Sequence, residues 1–240
     1  MIRRHPRSTP LYSSAASDLY KRKGKKSQVF LTTRHNQSSQ QHILKNILVD
    51  HVPSLVGILK DSELVIKFIK ARSWHEYIKL LWNHSRITKE IKGSEILQKL
   101  GLTVPKIHEV GFGLVPSKKH EYLGYYIMEN LTPAGFQELS KLIKEDAIDD
   151  AIREKIMISV YQGLEKMRDN HIVFSDFHLD NVFANDSGDI VWIDPGVTTY
   201  TKINEKKFRD KFNHSINRYI FYCSDRGNTL TDKETALFIS

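Results

Sequence analysis

The apolar positions change period midway along the chain. In the first half they form short runs at 29–33, 43–49, 55–59, 64–69, 104–111 and 123–128, which predict β-strands. Two of these runs, 55–59 and 64–69, flank the polar Lys60-Asp-Ser62 and predict a hairpin of two buried strands. From 74 to 100 the spacing becomes helical, through Tyr77, Leu80, Leu81, Ile87, Ile91, Leu97 and Leu100, and Gly101 stands where a helix would end. A Gly/Pro/Lys loop at 111–120 separates the last two strands. The first half therefore reads as a small sheet carrying one helix.

The second half opens on helical patterns at 135–143 and 149–168, where Ile152, Ile156, Val160, Leu164 and Met167 recur at steps of three and four. A strand at 172–174 follows, then strands at 182–184 and 190–193 joined by the turn Asn185-Asp-Ser-Gly188. A helix over 205–222 closes the pattern. The expected class is α+β.

Composition alters this picture in one respect. The chain has 240 residues and 40% apolar side chains, enough for a core, and a formal net charge of +8. Residues 1–30 hold eight Lys/Arg and one acid, whereas the other 210 residues hold 28 basic and 27 acidic side chains. The charge thus belongs to a segment that reads as a disordered basic tail, and the nearly neutral remainder offers no basic stripe for nucleic acid. One cysteine, Cys223, excludes an intramolecular disulfide and fits a reducing compartment, so a cytoplasmic location is expected. No apolar window is long enough to span a bilayer.

The segment Ser175-Asp-Phe-His-Leu-Asp-Asn181 carries the most chemical information, together with Ile193-Asp-Pro-Gly196. An Asp, an Asn five residues on, a hairpin, and then Asp-x-Gly after an apolar strand is the spacing of kinase-fold phosphotransferases. Phosphoryl transfer needs a carboxylate to take the proton of the attacking hydroxyl and oxygen ligands for the magnesium that binds the nucleotide phosphates. On that reading Asp176 is the base, while Asn181 and Asp194 are the Mg2+ ligands. Singly, these three residues read as turn formers and a strand end; their joint spacing favours the kinase site. His178 occupies the position at which protein kinases commonly place a phosphoryl-contacting Lys, and it reads equally as a loop-packing residue. No other histidine spacing suggests a metal site beyond magnesium.

The same fold requires a Lys on an inner strand and a Glu on the following helix. Lys67 interrupts the apolar 64–69 run, where a buried ammonium needs anionic partners such as ATP phosphates. Glu90 shares a helix face with Ile87 and Leu97, whereas Glu95 aligns with Lys92, Gln98 and Lys99, so Glu90 is the expected partner of Lys67. The run Tyr125-Tyr-Ile-Met-Glu-Asn-Leu131 then reads as a strand and hinge, with backbone groups of Glu129 to Leu131 as the adenine contacts. The predicted organisation is a bilobal protein-kinase-like fold: a basic tail at 1–30, an N-lobe sheet with one helix and hinge at 31–131, and a reduced helical C-lobe at 132–240.

With these residues in place, 50–220 resembles the Kdo/WaaP lipopolysaccharide kinase family. The resemblance is carried by Lys89-Glu-Ile-Lys-Gly-Ser-Glu-Ile-Leu-Gln-Lys-Leu-Gly-Leu-Thr-Val-Pro105 and by Asp176, His178 and Asn181 in an Asp-x-His-x-x-Asn loop. It implies an ATP- and magnesium-dependent kinase that phosphorylates a Kdo or heptose hydroxyl of the lipopolysaccharide inner core, at the cytoplasmic face of the membrane. The partner it implies is a lipid-linked sugar, and the basic tail would then meet an anionic membrane surface. Two positions depart from the pattern. Phe174 stands where kinases carry His, and Asp50-His-Val-Pro-Ser54 lacks the glycines of a phosphate loop.

Three classes follow. Only 44 residues lie beyond Gly196, and no Ala-Pro-Glu appears among them, which favours a small acceptor over a peptide. A minimal Ser/Thr protein kinase, such as a secreted bacterial effector acting on a protein substrate, would turn the tail into an export signal. A pseudokinase would account for Phe174 and the missing glycines.

Overall fold

A computed structural model describes residues 30–34 and 44–239, apart from 61, 83, 114–121 and 228. The basic segment therefore lies outside the described residues up to Phe30, as does most of the Gly/Pro/Lys loop. The fold is α+β, and the chain divides into two compact units: Met1–Thr88 with Lys106–Asn130, and Lys89–Pro105 with Leu131–Ser240. Among the described residues no helix is long and apolar enough to cross a membrane.

The first unit is an antiparallel sheet of β1 (Phe30–Arg34), β2 (Leu44–Asp50), β3 (Ser54–Leu59), β4 (Val65–Lys70), β5 (Ile107–Gly113) and β6 (Tyr122–Met128), in the order β1-β5-β6-β4-β3-β2. The hairpin expected from 55–59 and 64–69 is β3 and β4, with Val56 opposite Lys67. Leu55, Leu59, Ile66, Phe68, Tyr122, Tyr125 and Ile127 pack as one core on this sheet. The predicted helix at 74–100 is instead two helices, α1 (His75–Leu81) and α2 (Arg86–Lys99). The break has a local cause: Ser85 Oγ accepts from Thr88 N at 3.3 Å while Thr88 Oγ1 donates to Ser85 O at 2.9 Å, which starts a new helix at Arg86.

Residues 89–105, which the sequence pattern groups with 31–131, pack with the second unit. Leu97 and Leu102 lie in that unit's core, and Trp192 N donates to Thr103 O at 2.9 Å. Gly101, with φ 70°, ends α2: Leu102 N returns to Leu97 O at 3.0 Å.

The second unit continues with β7 (Gln137–Glu138), α3 (Leu139–Lys144), α4 (Asp150–Asp169), β8 (Ile172–Phe174), β9 (Val182–Ala184), β10 (Ile190–Trp192), β11 (Val197–Thr199), α5 (Glu205–Asp225) and α6 (Asp232–Ile239). Strands β10, β9 and β7 form one small sheet, and β11 pairs with β8. The helix expected at 135–143 begins only at Leu139, because Gly135 takes a left-handed conformation with φ 77° and Glu138 is extended. Asp149 caps α4 by accepting from Ala151 N at 2.8 Å.

A buried ion pair joins α4 to α6. Arg153 binds Glu234 through Nε at 2.7 Å and Nη2 at 2.8 Å, and Thr231 N adds a third bond at 2.7 Å. Burial alone would raise the Glu234 pKa, but these donors outweigh it and hold the carboxyl below its ordinary 4.5. A lowered folded-state pKa stabilises the fold above the unfolded value, and that stabilisation is lost as pH falls through the folded one. Glu234→Gln is therefore expected to cost about 1.5–3 kcal/mol at pH 7. In urea unfolding at stepped pH, the gap between variant and wild type should close below about pH 4.5.

Candidate active site

The loop after β8 is built by alternation. Phe177, Leu179 and Asn181 are buried, whereas Asp176 is exposed and His178 and Asp180 are partly so. Phe177 stacks on Tyr219 at 4.5 Å between ring centroids and also meets Trp192 and Phe174 at 5.6 and 5.9 Å. Such aromatic pairs add about 0.5–1.5 kcal/mol each beyond area burial, which pins the loop from beneath. Phe174, the departure from the kinase pattern, is part of this cluster, and its carbonyl accepts from Ser215 Oγ of α5 at 2.5 Å. The position is thus filled by packing.

Three hydrogen bonds tie the sequence-predicted residues of this unit together. Asn181 Nδ2 donates to Asp176 O at 2.9 Å, Ile193 N donates to Asn181 O at 2.9 Å, and Ser175 N donates to Gly196 O at 3.1 Å. The β9–β10 hairpin makes this possible. Its turn is closed by Asn185 Oδ1, which accepts from Ser187 N at 3.1 Å and Asp189 N at 2.9 Å, so the chain returns with Trp192 opposite Val182. Asp194 then takes a left-handed conformation, φ 50°, uncommon for a residue with a Cβ although Asp tolerates it better than most. Gly196 N donates to Asp194 O at 2.8 Å to close the turn.

The Asn181 amide also approaches His178 Nε2, at 3.3 Å. With its nitrogen facing these two acceptors, Asn181 keeps its amide oxygen for a ligand. Together with the Asp194 carboxylate, that oxygen suits magnesium, a hard cation that takes one or two protein oxygens plus phosphate oxygens and water. Burial lowers the His178 pKa, an effect that the Asp180 and Asp176 carboxylates only partly oppose. The neutral ring is thereby favoured, a form in which Nε2 can accept from the Asn181 amide, while Nδ1 lies 3.4 Å from Asp180 Oδ2, outside hydrogen-bonding geometry. That arrangement orients Asn181. Cys223 is buried and its pKa is pushed up to about 12, so its thiol is no nucleophile at neutral pH.

Asp176 is 61% exposed at its side chain, and its Oδ1 accepts from Arg218 Nη2 at 2.7 Å. Sequence reading missed Arg218. The available signal was the spacing Arg218, Tyr222, Arg226 along α5 and its cap, which puts all three on one helix face. Both guanidiniums lie over the Tyr222 ring, at 5.0 and 5.2 Å from its centroid, and Arg226 pairs with Asp180.

The second missed residue is Gly93 of α2. A Cβ there would lie 1.8 Å from Pro195 O, so only glycine lets the helix backbone pass the Asp194–Gly196 turn.

In the first unit, Lys67 is 5% exposed on an inner strand, its Nζ 5.8 Å from the centroid of Tyr126. An edge-strand lysine on a solvated face is thereby excluded; Lys70, on the same strand, pairs with Asp50. Glu129 N donates to Lys106 O at 3.0 Å. In the second unit, Leu131 O accepts from Ala134 N and Phe136 N, both at 3.2 Å, and Glu90 is half-buried on α2, as is Glu95.

No family model matches the chain, and no curated protein matches it. Among solved structures, the chain is similar to one in the crystal structure of the yeast RNA Pol II CTD kinase CTDK-1 complex, with 20% identity and a TM-score of 0.43. That likeness covers 72% of this chain and spans half the length of the other. The described residues form an antiparallel sheet unit and a mainly helical unit that carries the loop and hairpin, an α+β fold.

Proposed function

We propose that this chain is an ATP- and magnesium-dependent phosphotransferase acting on an alcohol, with Asp176 as general base. The observation that carries the reading is the hydrogen-bonded framework that joins Asp176, Asn181 and the Asp194 turn within one unit. In the reaction, the Asp176 carboxylate takes the acceptor hydroxyl proton as that oxygen bonds to the γ-phosphorus of ATP. The bond from that phosphorus to the bridging oxygen breaks, and ADP leaves. Asn181 and Asp194 would hold magnesium, whose charge offsets that building on the phosphate oxygens. Lys67 is assigned to phosphate contact with Glu90 as its partner, and Glu129 and Leu131 to adenine through the carbonyl of the first and the N–H of the second. His178 orients Asn181.

For the acceptor, the Asp-x-His-x-x-Asn loop and the Gly93-containing helix support a sugar hydroxyl of the lipopolysaccharide inner core, Kdo or heptose, presented on a lipid.

Calorimetric titration with ATP tests the metal assignment. Wild type should bind ATP at least about tenfold more tightly with magnesium than without it, and Asp194→Ala should lose that gain while keeping its thermal transition. An equal magnesium effect in the variant would overturn the assignment.

A further inference from the structure

The α5 face beside the catalytic loop carries charge that the phosphotransfer site does not use. Arg218 reaches Asp176 through one nitrogen, Nη2 at 2.7 Å, while its Nη1 is a long 3.5 Å from Ser175 O. A guanidinium can instead hold a carboxylate or phosphate through two parallel bonds; besides its hydrogen bond with Tyr222, this one is left with a weakly held Nη1 at the loop. The pair is also open to water, with side-chain exposures of 37% for Arg218 and 61% for Asp176. Exposed pairs of this kind contribute about 0–1 kcal/mol, so one partner can be exchanged at little cost. Arg226, 45% exposed, lies across the same Tyr222 ring.

A general base must come within about 2.6–3.2 Å of the hydroxyl it deprotonates. Arg218 already occupies that distance from Asp176 Oδ1, so any acceptor presenting its hydroxyl there also presents its neighbouring substituents to the guanidinium. A neutral neighbour would leave the arginine on the base. An anionic neighbour would draw it away and free the carboxylate.

We infer that Arg218 and Arg226, with Tyr222 between them, form an anion subsite at the catalytic loop, that the acceptor alcohol carries a phosphate or carboxylate group, and that Arg218 passes from Asp176 to that group when the acceptor binds. This rests on Asp176 being the base of the proposed phosphotransferase, but the subsite is measurable without turnover. It makes Arg218 a residue that selects the acceptor rather than a fixed strut of the loop.

The test is equilibrium titration of the full chain, without ATP, using glucose, glucose 6-phosphate and glucuronate as probes. The phosphate or the carboxylate sugar should bind at least about tenfold more tightly than glucose, the expected gain from a charge-assisted bond, and the two arms separate one anion from the other. Arg218→Gln should remove that preference, and Arg226→Gln should reduce it. Asp176→Asn, which takes away the competing carboxylate, should strengthen it. A strut would give the opposite pattern, with no anion preference in wild type and none gained in Asp176→Asn. Equal binding of the three probes, no binding by any of them, or a preference unchanged in Arg218→Gln would each overturn the inference. If transfer from ATP fails while these shifts are seen, the phosphotransferase reading falls and the anion subsite stands.

Discussion

Asp176→Ala is expected to lower phosphoryl transfer by about a hundredfold to ten-thousandfold, the range spanned by loss of a positioned general base. The expectation is sharp because the side chain does little else. It is exposed, and the contact it makes is the Arg218 pair, worth at most about 1 kcal/mol at such a site. The aromatic packing of Phe177 and the backbone bond from Asn181 to Asp176 O do not involve the carboxylate and survive its removal. Thermal unfolding of the variant should therefore match wild type while the initial rate collapses. A rate that falls only in proportion to lost folded protein would assign Asp176 a structural role instead.

Gly93→Ala is expected to have the second largest effect, and through a different route. The added methyl would sit 1.8 Å from the Pro195 carbonyl oxygen, well inside contact distance, and the obstacle is backbone that cannot rotate away. Either α2 or the Asp194–Gly196 turn must shift. Overpacking of this kind costs about 1–3 kcal/mol in stability. A displacement of about 1 Å at the Asp194 carboxylate would cost a further hundredfold or so in rate. Denaturant unfolding and the magnesium dependence of ATP binding, measured together, separate the two losses. Ser94→Ala, on the same helix and half-buried, should change neither by much.

The elements with a strong period were legible in the sequence. The β3–β4 hairpin, α4, the β9–β10 hairpin and most of α5 lie where apolar spacing puts them, because their apolar runs and stripes are the residues the core buries. The break between α1 and α2 was not, since helical spacing runs on through it and the side-chain bonds of Ser85 and Thr88 decide the matter locally. Strands β7 and β11, of two and three residues, are held by partners distant in sequence and have no period of their own. The hydrogen-bonded loop at 175–181 and the hairpin after it could be read because the residues that approach one another are separated by fixed short intervals. Arg218 and Gly93 could not be read in the same way. Their partners, Asp176 and Pro195, lie 42 residues before the first and about a hundred after the second, and only the folded second unit brings each pair together.

The Asp176–Asn181–Asp194 framework is proposed to transfer the γ-phosphoryl group of ATP to an alcohol. The decisive experiment is incubation of the purified full chain with γ-labelled ATP and a panel of lipopolysaccharide core oligosaccharides and proteins, with and without magnesium. Wild type is expected to transfer label to at least one acceptor in a magnesium-dependent way, and Asp176→Ala and Asp194→Ala to do so at least about a hundredfold more slowly. Transfer that proceeds undiminished in either variant, or a wild-type protein that labels no acceptor under these conditions, would contradict it.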